Sequence, residues 1–488
     1  MTCFLKETTR DLPLVRQLIL IAIIAAISQY VLSQILPIIL LNDSVAYLGL
    51  THFFPLKRPV DWYAASGVAT EYDIFYPYGY PFFLDLISLV VPLQKWAIAT
   101  IIAQHVLSFL TVLAIYGIGV RVGFVRPATV AACLYAIYVP RVLYAHAIMA
   151  ETLFTFLLVC SIYLSILAAE RKTLTIALAS GFLMGLAVLT KPLAFLAALG
   201  FCYVFLKRRS GALTIAGFLI SLSLVVSGNL VHNGLFYGEW RILTSGGIHL
   251  ADRVFGYDRF IVEDDPDVQS IKQQLATSDI PHKFPSYWWD YYRALRADGS
   301  SAKEVDKKLR RASLAGIRAN IREYLLHTFV IMGLNLFLPN KQLPLETYAR
   351  WDAYSAHLAR WVGQSPGIVP PAELEARELV LQKTEFYVPP RKFGRVSDRW
   401  AGFFGSPPFT WRGAFASFFI FGFVYSLTVI RRTEVRAIVL ISLAIMFGTA
   451  LLETFVPRYF ESLIPLALLV SCISLGHASK WLTRFWFD

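Results

Sequence analysis

Five ionisable residues stand out in a chain where charge is scarce: Asp43, Glu151, Lys191 and Arg458 at the ends of apolar runs, and Glu71 in the loop after the first of them. A carboxylate near a lipid boundary can take a proton from a hydroxyl, and a fixed cation can hold a phosphate. Acids and cations on one aqueous–lipid boundary would together suit an anionic lipid donor and a hydroxyl acceptor. Asp43 follows directly on the apolar run 14–41, and Tyr47 is four residues on, so a continuing helix would put both on one face. Near Glu71 and Asp73 lies the turn Tyr76-Pro77-Tyr78-Gly79-Tyr80-Pro81. Its proline and glycine rigidify the backbone, while Tyr76 and Tyr80 offer aromatic faces with hydroxyl tips, a mixture that suits a sugar or a lipid phosphate. Glu151 separates two apolar runs, Lys191 sits in Thr190-Lys191-Pro192, and Arg458-Tyr459 opens the last run.

Each has a plainer reading. Asp43, with Asn42 and Ser44, could cap a helix. The tyrosines could form an interfacial belt. Glu151 could be a loop acid, Lys191 could snorkel to the interface, and Arg458 could pair with Glu453 or Glu461. What argues for chemistry is their joint placement on one membrane face, under a topology fixed by other residues.

Those other residues are the basic clusters of short loops. The chain has 488 residues, 56% hydrophobic and 16% charged, against about 25% charged in an ordinary soluble domain. Its apolar residues come in blocks of roughly 17–28, the length that crosses a bilayer. The first block lacks a small-residue cleavage site and reads as an uncleaved helix. The net charge of +12 falls in clusters such as Arg121 with Arg126, Arg171-Lys172, Lys207-Arg208-Arg209 and Arg431-Arg432. Positive-inside topology explains them, and no nucleic-acid module is visible. Spans at 14–41, 96–120, 128–148, 152–169, 174–190, 193–206, 212–231, 412–430, 437–452 and 459–479 alternate with these clusters and put both termini inside. The shorter runs 81–94 and 325–338 break the parity and are expected as re-entrant or juxtamembrane pieces.

The expected architecture is an all-α polytopic membrane protein of about 10–13 helices with outer juxtamembrane helices and loops. Residues 1–231 form one membrane module that includes the first outer loop, 42–95. Residues 232–411 form outer loops with a charged helix near Lys303 to Arg322, and residues 412–488 form the last spans. The five cysteines show neither metal-ligand nor disulfide spacing and read as small core residues. No cofactor is firmly implied; a divalent metal bound through Asp43 or Glu151 stays open.

In order along the chain, several motifs resemble the GT-C superfamily of polytopic glycosyltransferases. They are Asp43 with Tyr47, Tyr76 through Pro81, Glu151-Thr152-Leu153-Phe154, Gly181 through Pro192, Asn233-Gly234 through Gly246-Gly247, and Arg458-Tyr459 with Pro465. The chain looks closest to the branch of dolichyl-phosphate-mannose protein mannosyltransferases and the lipid A aminoarabinose transferase. It departs where the family's first loop often carries an Asp-Glu or Glu-Ala-type pair and this chain has Asn42-Asp43. The resemblance implies a hexosyl- or pentosyltransferase with a polyprenyl-phosphate sugar donor, inverting transfer, and Asp43 as general base. Lys191 and Arg458 are then candidates to stabilise the donor phosphate. Tyr47, Glu71, Asp73, Tyr76, Tyr80, Glu151 and Tyr459 would contact sugar or acceptor. The acceptor could be lipid, glycan or protein, and the enzyme would sit in the inner (plasma) membrane with its site facing the periplasm or exterior. Two other classes remain: a transporter or flippase of a lipid-linked sugar, which would favour midplane polar residues in repeated halves, and a non-catalytic assembly protein, for which Asp43 would be dispensable.

Overall fold

The computed structural model describes residues 2–34, 36, 38, 44, 47, 51, 77–237, 240–243, 246–276, 300, 302–337, 409–452 and 460–487. Regular structure among the described residues is helical, in an all-α polytopic membrane protein. Helix α1 is Thr2–Ser33 and α2 is Gly79–Ser88. Then come α3 (Trp96–Val122), α4 (Val125–Ala136), α5 (Val139–His146), α6 (Glu151–Arg171), α7 (Leu174–Thr190), α8 (Phe195–Lys207) and α9 (Ala212–Tyr237). A smaller polar unit holds α10 (Gly246–Ala251), a π turn at Asp252–Asp258, α11 (Pro266–Ala276) and α12 (Ala302–Ala319). The chain closes with α13 (Ile321–Phe337), α14 (Phe409–Thr428), α15 (Thr433–Leu452) and α16 (Ile464–Phe487).

Segments of α1 and α9, with α3, α6 and α15, are long and apolar enough to cross a membrane, and α4 with α5 makes a sixth candidate, bent by 50°. Helix α7, the 192–207 segment that includes α8, and parts of α14 and α16 are shorter apolar helices. Two sequence expectations change. The run 128–148, expected as one span, is broken, because Pro140 has no amide hydrogen and its ring excludes the carbonyl four residues earlier. The run 14–41 was expected to be helical throughout, yet α1 ends at Ser33. The runs 81–94 and 325–338 carry the 10-residue α2 and the 17-residue α13. The charged stretch after Lys303 is helical, as its spacing predicts.

The membrane core joins α1, α3–α9 and α14–α16 around buried residues such as Trp96, Phe154, Phe201 and Phe218. With lipid outside, helices gain little from apolar burial and depend on close backbone approach. Gly181 shows this: a Cβ there would lie 2.2 Å from the Phe218 carbonyl oxygen, so α7 and α9 meet where only glycine fits. The polar unit has its own small core, with Val254, Phe255, Val268, Ile271 and Leu309.

Candidate functional site

Two local breaks create the site. Pro192 drives the residue before it out of the α region, and Lys191 is extended at φ −143°, ψ 109°. Helix α7 therefore stops at Thr190, and Lys191 turns from its axis. Helix α6 begins at Glu151, so the carboxylate lies at a helix N-terminus and the ammonium beyond a helix C-terminus, both favoured by the backbone dipoles. Lys191 Nζ donates to Glu151 Oε1 at 2.9 Å, and Nζ lies 5.5 Å from the centre of the Phe154 ring. Glu151 is 3% exposed and Lys191 6%, so the pair is out of solvent. Neither a loop acid nor a snorkelling lysine describes them.

The tyrosine turn docks onto the same place. A Cβ on Gly79 would come within 2.6 Å of the Leu189 carbonyl carbon and oxygen, so the absence of a side chain lets α2 begin against the end of α7. Tyr80 is fully buried and its hydroxyl donates to Gln104 Oε1 at 2.8 Å. Gln104 Nε2 donates in turn to the carbonyls of Ala145 (3.0 Å) and Ala147 (2.7 Å). These carbonyls lie where α5 ends at His146, and the Ala147 carbonyl also accepts from the Met149 amide at 2.8 Å. Tyr47 meets Tyr80 edge to face with ring centres 5.0 Å apart, and Ser44 Oγ donates to the Ile148 carbonyl at 2.7 Å. Gln104 is eight residues into α3, about 12 Å along its axis from Trp96. The cluster is thus sunk into the helical bundle rather than set on its rim.

A polar cavity of about 20 Å³ adjoins Glu151, room for a water molecule. Its other walls include Arg141, Tyr138, Thr152 and Glu461. The proline break between α4 and α5 explains Arg141. Without a helical partner, the Ala136 carbonyl accepts from Arg141 Nη2 at 2.7 Å and from Ser28 Oγ at 2.6 Å. Arg141 Nη1 donates to Ser108 Oγ at 2.8 Å, and the guanidinium carbon lies 5.7 Å from the Tyr135 ring centre. Tyr138 donates to Glu461 Oε2 at 2.5 Å, which ties the chain just before α16 to this wall.

The structure therefore brings four expected residues, Tyr47, Tyr80, Glu151 and Lys191, into one neighbourhood. Asp43, Glu71, Asp73, Tyr76, Arg458 and Tyr459 lie outside the described residues. Arg141, Gln104 and Tyr138 were missed, and Glu461 was named only as a possible partner for Arg458. Arg141 had a signal, since a guanidinium inside an apolar run is costly and marks a specific environment. Gln104 had none beyond being an amide in such a run.

A second buried charge group lies in the polar unit. Arg253 and Asp258 form an ion pair with both side chains fully buried. His327 Nδ1 is 2.8 Å from Asp258 Oδ1. Arg253 also donates from Nε to the Ala450 carbonyl (3.3 Å) and from Nη2 to Thr328 Oγ1 (3.4 Å), between the rings of Tyr257 and Tyr324. Tyr324 donates to the Leu451 carbonyl. This group binds the π turn to α13 and the end of α15. Among the described residues, no three His, Cys, Asp or Glu side chains are grouped to hold a metal.

No curated protein matches this sequence significantly. Among solved structures, the archaeal oligosaccharyltransferase AglB from Archaeoglobus fulgidus, in complex with an inhibitory peptide and a dolichol-phosphate, covers 96% of this chain and 51% of its own, with 15% identity and a TM-score of 0.42. An oligosaccharyltransferase from Archaeoglobus fulgidus tethered to an acceptor peptide with the NVT sequon covers 96% and 50%, with 14% identity and a TM-score of 0.43. This chain spans about half the length of those structures. Residues 76–231 match the family model of dolichyl-phosphate-mannose-protein mannosyltransferases, and the chain resembles that family across the segment that holds Tyr76, Tyr80, Glu151 and Lys191.

Proposed function

We propose that the protein is a membrane glycosyltransferase that moves a sugar from a polyprenyl-phosphate donor to an acceptor hydroxyl, with inversion, at the outer face of the membrane. The observation that carries this reading is the match of residues 76–231 to the mannosyltransferase family, over the segment in which Tyr80, Glu151 and Lys191 converge. Asp43 is the proposed base. It precedes Ser44, whose hydroxyl is bound to the Ile148 carbonyl three residues from Glu151.

In the proposed step, the acceptor oxygen forms a bond to the anomeric carbon as Asp43 takes its proton. The bond from that carbon to the phosphate oxygen breaks on the opposite side, and the lipid phosphate leaves with the electron pair. A hydroxyl is too weak an acid to lose its proton unaided, hence the carboxylate. The phosphate needs electrostatic stabilisation more than protonation. Lys191, held in place by Glu151, and Arg458 would supply it. Tyr47, Glu71, Asp73, Tyr76, Tyr80 and Tyr459 would frame sugar and acceptor.

Purified protein given radiolabelled polyprenyl-phosphate sugars should transfer label with inverted anomeric configuration. Mass spectrometry of lipids and glycans from cells with and without the chain would identify the acceptor. Movement of intact donor across proteoliposomes without transfer would favour a flippase and end the enzymatic reading. The Lys/Arg bias of the short loops motivates the orientation. Ser66→Cys and Ser300→Cys should react with an impermeant thiol reagent from outside; protection of both would reverse it.

A further inference from the structure

A second cavity lies on the other side of Gln104. It measures about 480 Å³, within the roughly 300–1,000 Å³ of small-molecule sites. It runs between α1 and α3, with Gln29, Ser33 and Gln34 on one wall and Ile98, Ile101, Ile102, Val106 and Phe109 on the other. His105 and His146 complete it. Successive helical residues point about 100° apart. Gln104 thus faces Tyr80, while His105 turns toward α1, where its backbone carbonyl accepts from Gln29 Nε2 at 3.1 Å.

Three features say what fits. Ile102 and Val106 are 60% and 51% exposed on a membrane-crossing helix, so one wall of the cavity continues onto the lipid-facing surface. The rings of His105 and His146 meet edge to face, 4.7 Å apart, and both nitrogens of His105 have no hydrogen-bond partner among the described residues. A buried polar nitrogen left so is costly, and a ligand oxygen in the cavity would relieve it. Finally, among the described lining residues none is Asp, Glu, Lys or Arg. Arg141, the cation whose charge reaches His105, is already engaged by Ser108, Ser28 and the Ala136 carbonyl, so a phosphate would have to compete for it, whereas an ester or hydroxyl needs only the imidazole and amides.

We propose that this cavity is a lipid site, separate from the charged cluster, which takes a neutral diacylglycerol-type lipid from the bilayer. One acyl chain lies along Ile98, Ile102, Val106 and Phe109, and an ester or hydroxyl oxygen meets His105. The site does not depend on glycosyl transfer, so its test reads binding alone.

The full-length protein, in phosphatidylcholine nanodiscs, would be photolabelled with diacylglycerol carrying a diazirine in one acyl chain, and the labelled peptides mapped by mass spectrometry. Label should concentrate on residues 98–109 and 29–34 over the equally lipid-exposed Leu219 and Leu224 face of α9. Ile102→Trp, which obstructs the mouth from an exposed position, should remove the enrichment, while Leu224→Trp should not. His105→Phe, which keeps the ring but removes the donor, should cost about fivefold, as expected for a hydrogen bond worth about 1 kcal/mol. Should His105→Phe not fold, Ile102→Trp and competition by unlabelled lipids carry the test. Equal labelling of the α9 face would mean annular lipid only and overturn the site. Better competition by a polyprenyl phosphate than by diacylglycerol would overturn the neutral ligand.

Discussion

Two buried ion pairs divide the molecule. Lys191–Glu151 lies inside the segment that matches the mannosyltransferase family, beside a polar cavity. Arg253–Asp258 lies outside that segment and is enclosed by Thr328, the Ala450 carbonyl and two tyrosine rings. A guanidinium presents five donors in a rigid fork and can bind several partners at once; an ammonium is a point charge on a flexible stem. Arg253 uses that fork to clamp three elements together. Lys191 sits where one helix ends and another begins, beside the Glu151 carboxylate and the Phe154 ring. The two buried pairs differ in their surroundings: a cavity and two helix ends beside Lys191–Glu151, and tyrosine rings, a hydroxyl and a backbone carbonyl around Arg253–Asp258.

The sharpest test of this contrast is Asp43→Asn. Asparagine caps a helix about as well as aspartate but cannot take the proton. Turnover of the purified enzyme should fall roughly 10²–10⁴-fold with folding and donor binding retained. Near-normal turnover would move the base to Glu71 or Glu151.

Breaking either ion pair should be similarly costly to stability, about 3–5 kcal/mol, since each removes an opposite charge from a buried one. Their effects on activity should differ. Glu151→Gln and Lys191→Gln should weaken donor binding in the folded fraction, whereas Asp258→Asn should leave it at the wild-type level. Equal loss of donor affinity in all three variants would erase the distinction between the two pairs. Arg458→Gln should also weaken donor binding, and unchanged affinity in both Lys191→Gln and Arg458→Gln would refute the phosphate assignment.

Gly79→Ala tests the docking of the tyrosine turn. Its new methyl would meet the Leu189 backbone, which cannot swing aside as a side chain could. Overpacking should cost about 1–3 kcal/mol, read as a lower melting temperature, and should disturb the Tyr80 contacts near Lys191.

The smallest effect belongs to the polar unit. Asp306, on α12, accepts from the Gly247 backbone amide at 2.6 Å, and burial pushes its carboxyl above the ordinary aspartate range against the lowering effect of that bond. A raised carboxyl binds its proton more tightly when folded. Its contribution to stability is therefore full below the unfolded value of about 3.9 and is lost as pH rises through the folded one. Asp306→Asn keeps the acceptor oxygen and removes the titration. The variant should gain on the wild type as pH rises from 4 to 7.5 in thermal unfolding, and a gap that stays constant with pH would contradict this.

Much of the architecture was legible because membrane spans are written in composition. Apolar blocks of sufficient length can satisfy their backbone only as helices, and α3, α6, α7, α8, α9, α14 and α15 lie close to the apolar runs that predict them. Proline positions foretold two breaks in principle, yet only the Thr190-Lys191-Pro192 interruption was read from them; Pro140 was passed over inside an apolar run. Within the site, Glu151 and Lys191 stood out because isolated charge between apolar runs is expensive. Their pairing did not, since residues 40 apart in sequence meet only once α6 and α7 pack.

The sequence by itself determined most of the helices, the Lys191-Pro192 break between two of them, and the scarcity of charge that makes each ionisable residue informative. Those properties are local: run length, proline, and the cost of charge in hydrocarbon. The tertiary structure alone decided which charges are partners, that Gln104 joins Tyr80 to the end of α5, and that Arg141 satisfies the carbonyl Pro140 leaves behind. It also decided that Arg253 and Asp258 face each other. These depend on close approach between segments far apart in the chain, set by side-chain volume and by glycines such as Gly79 and Gly181.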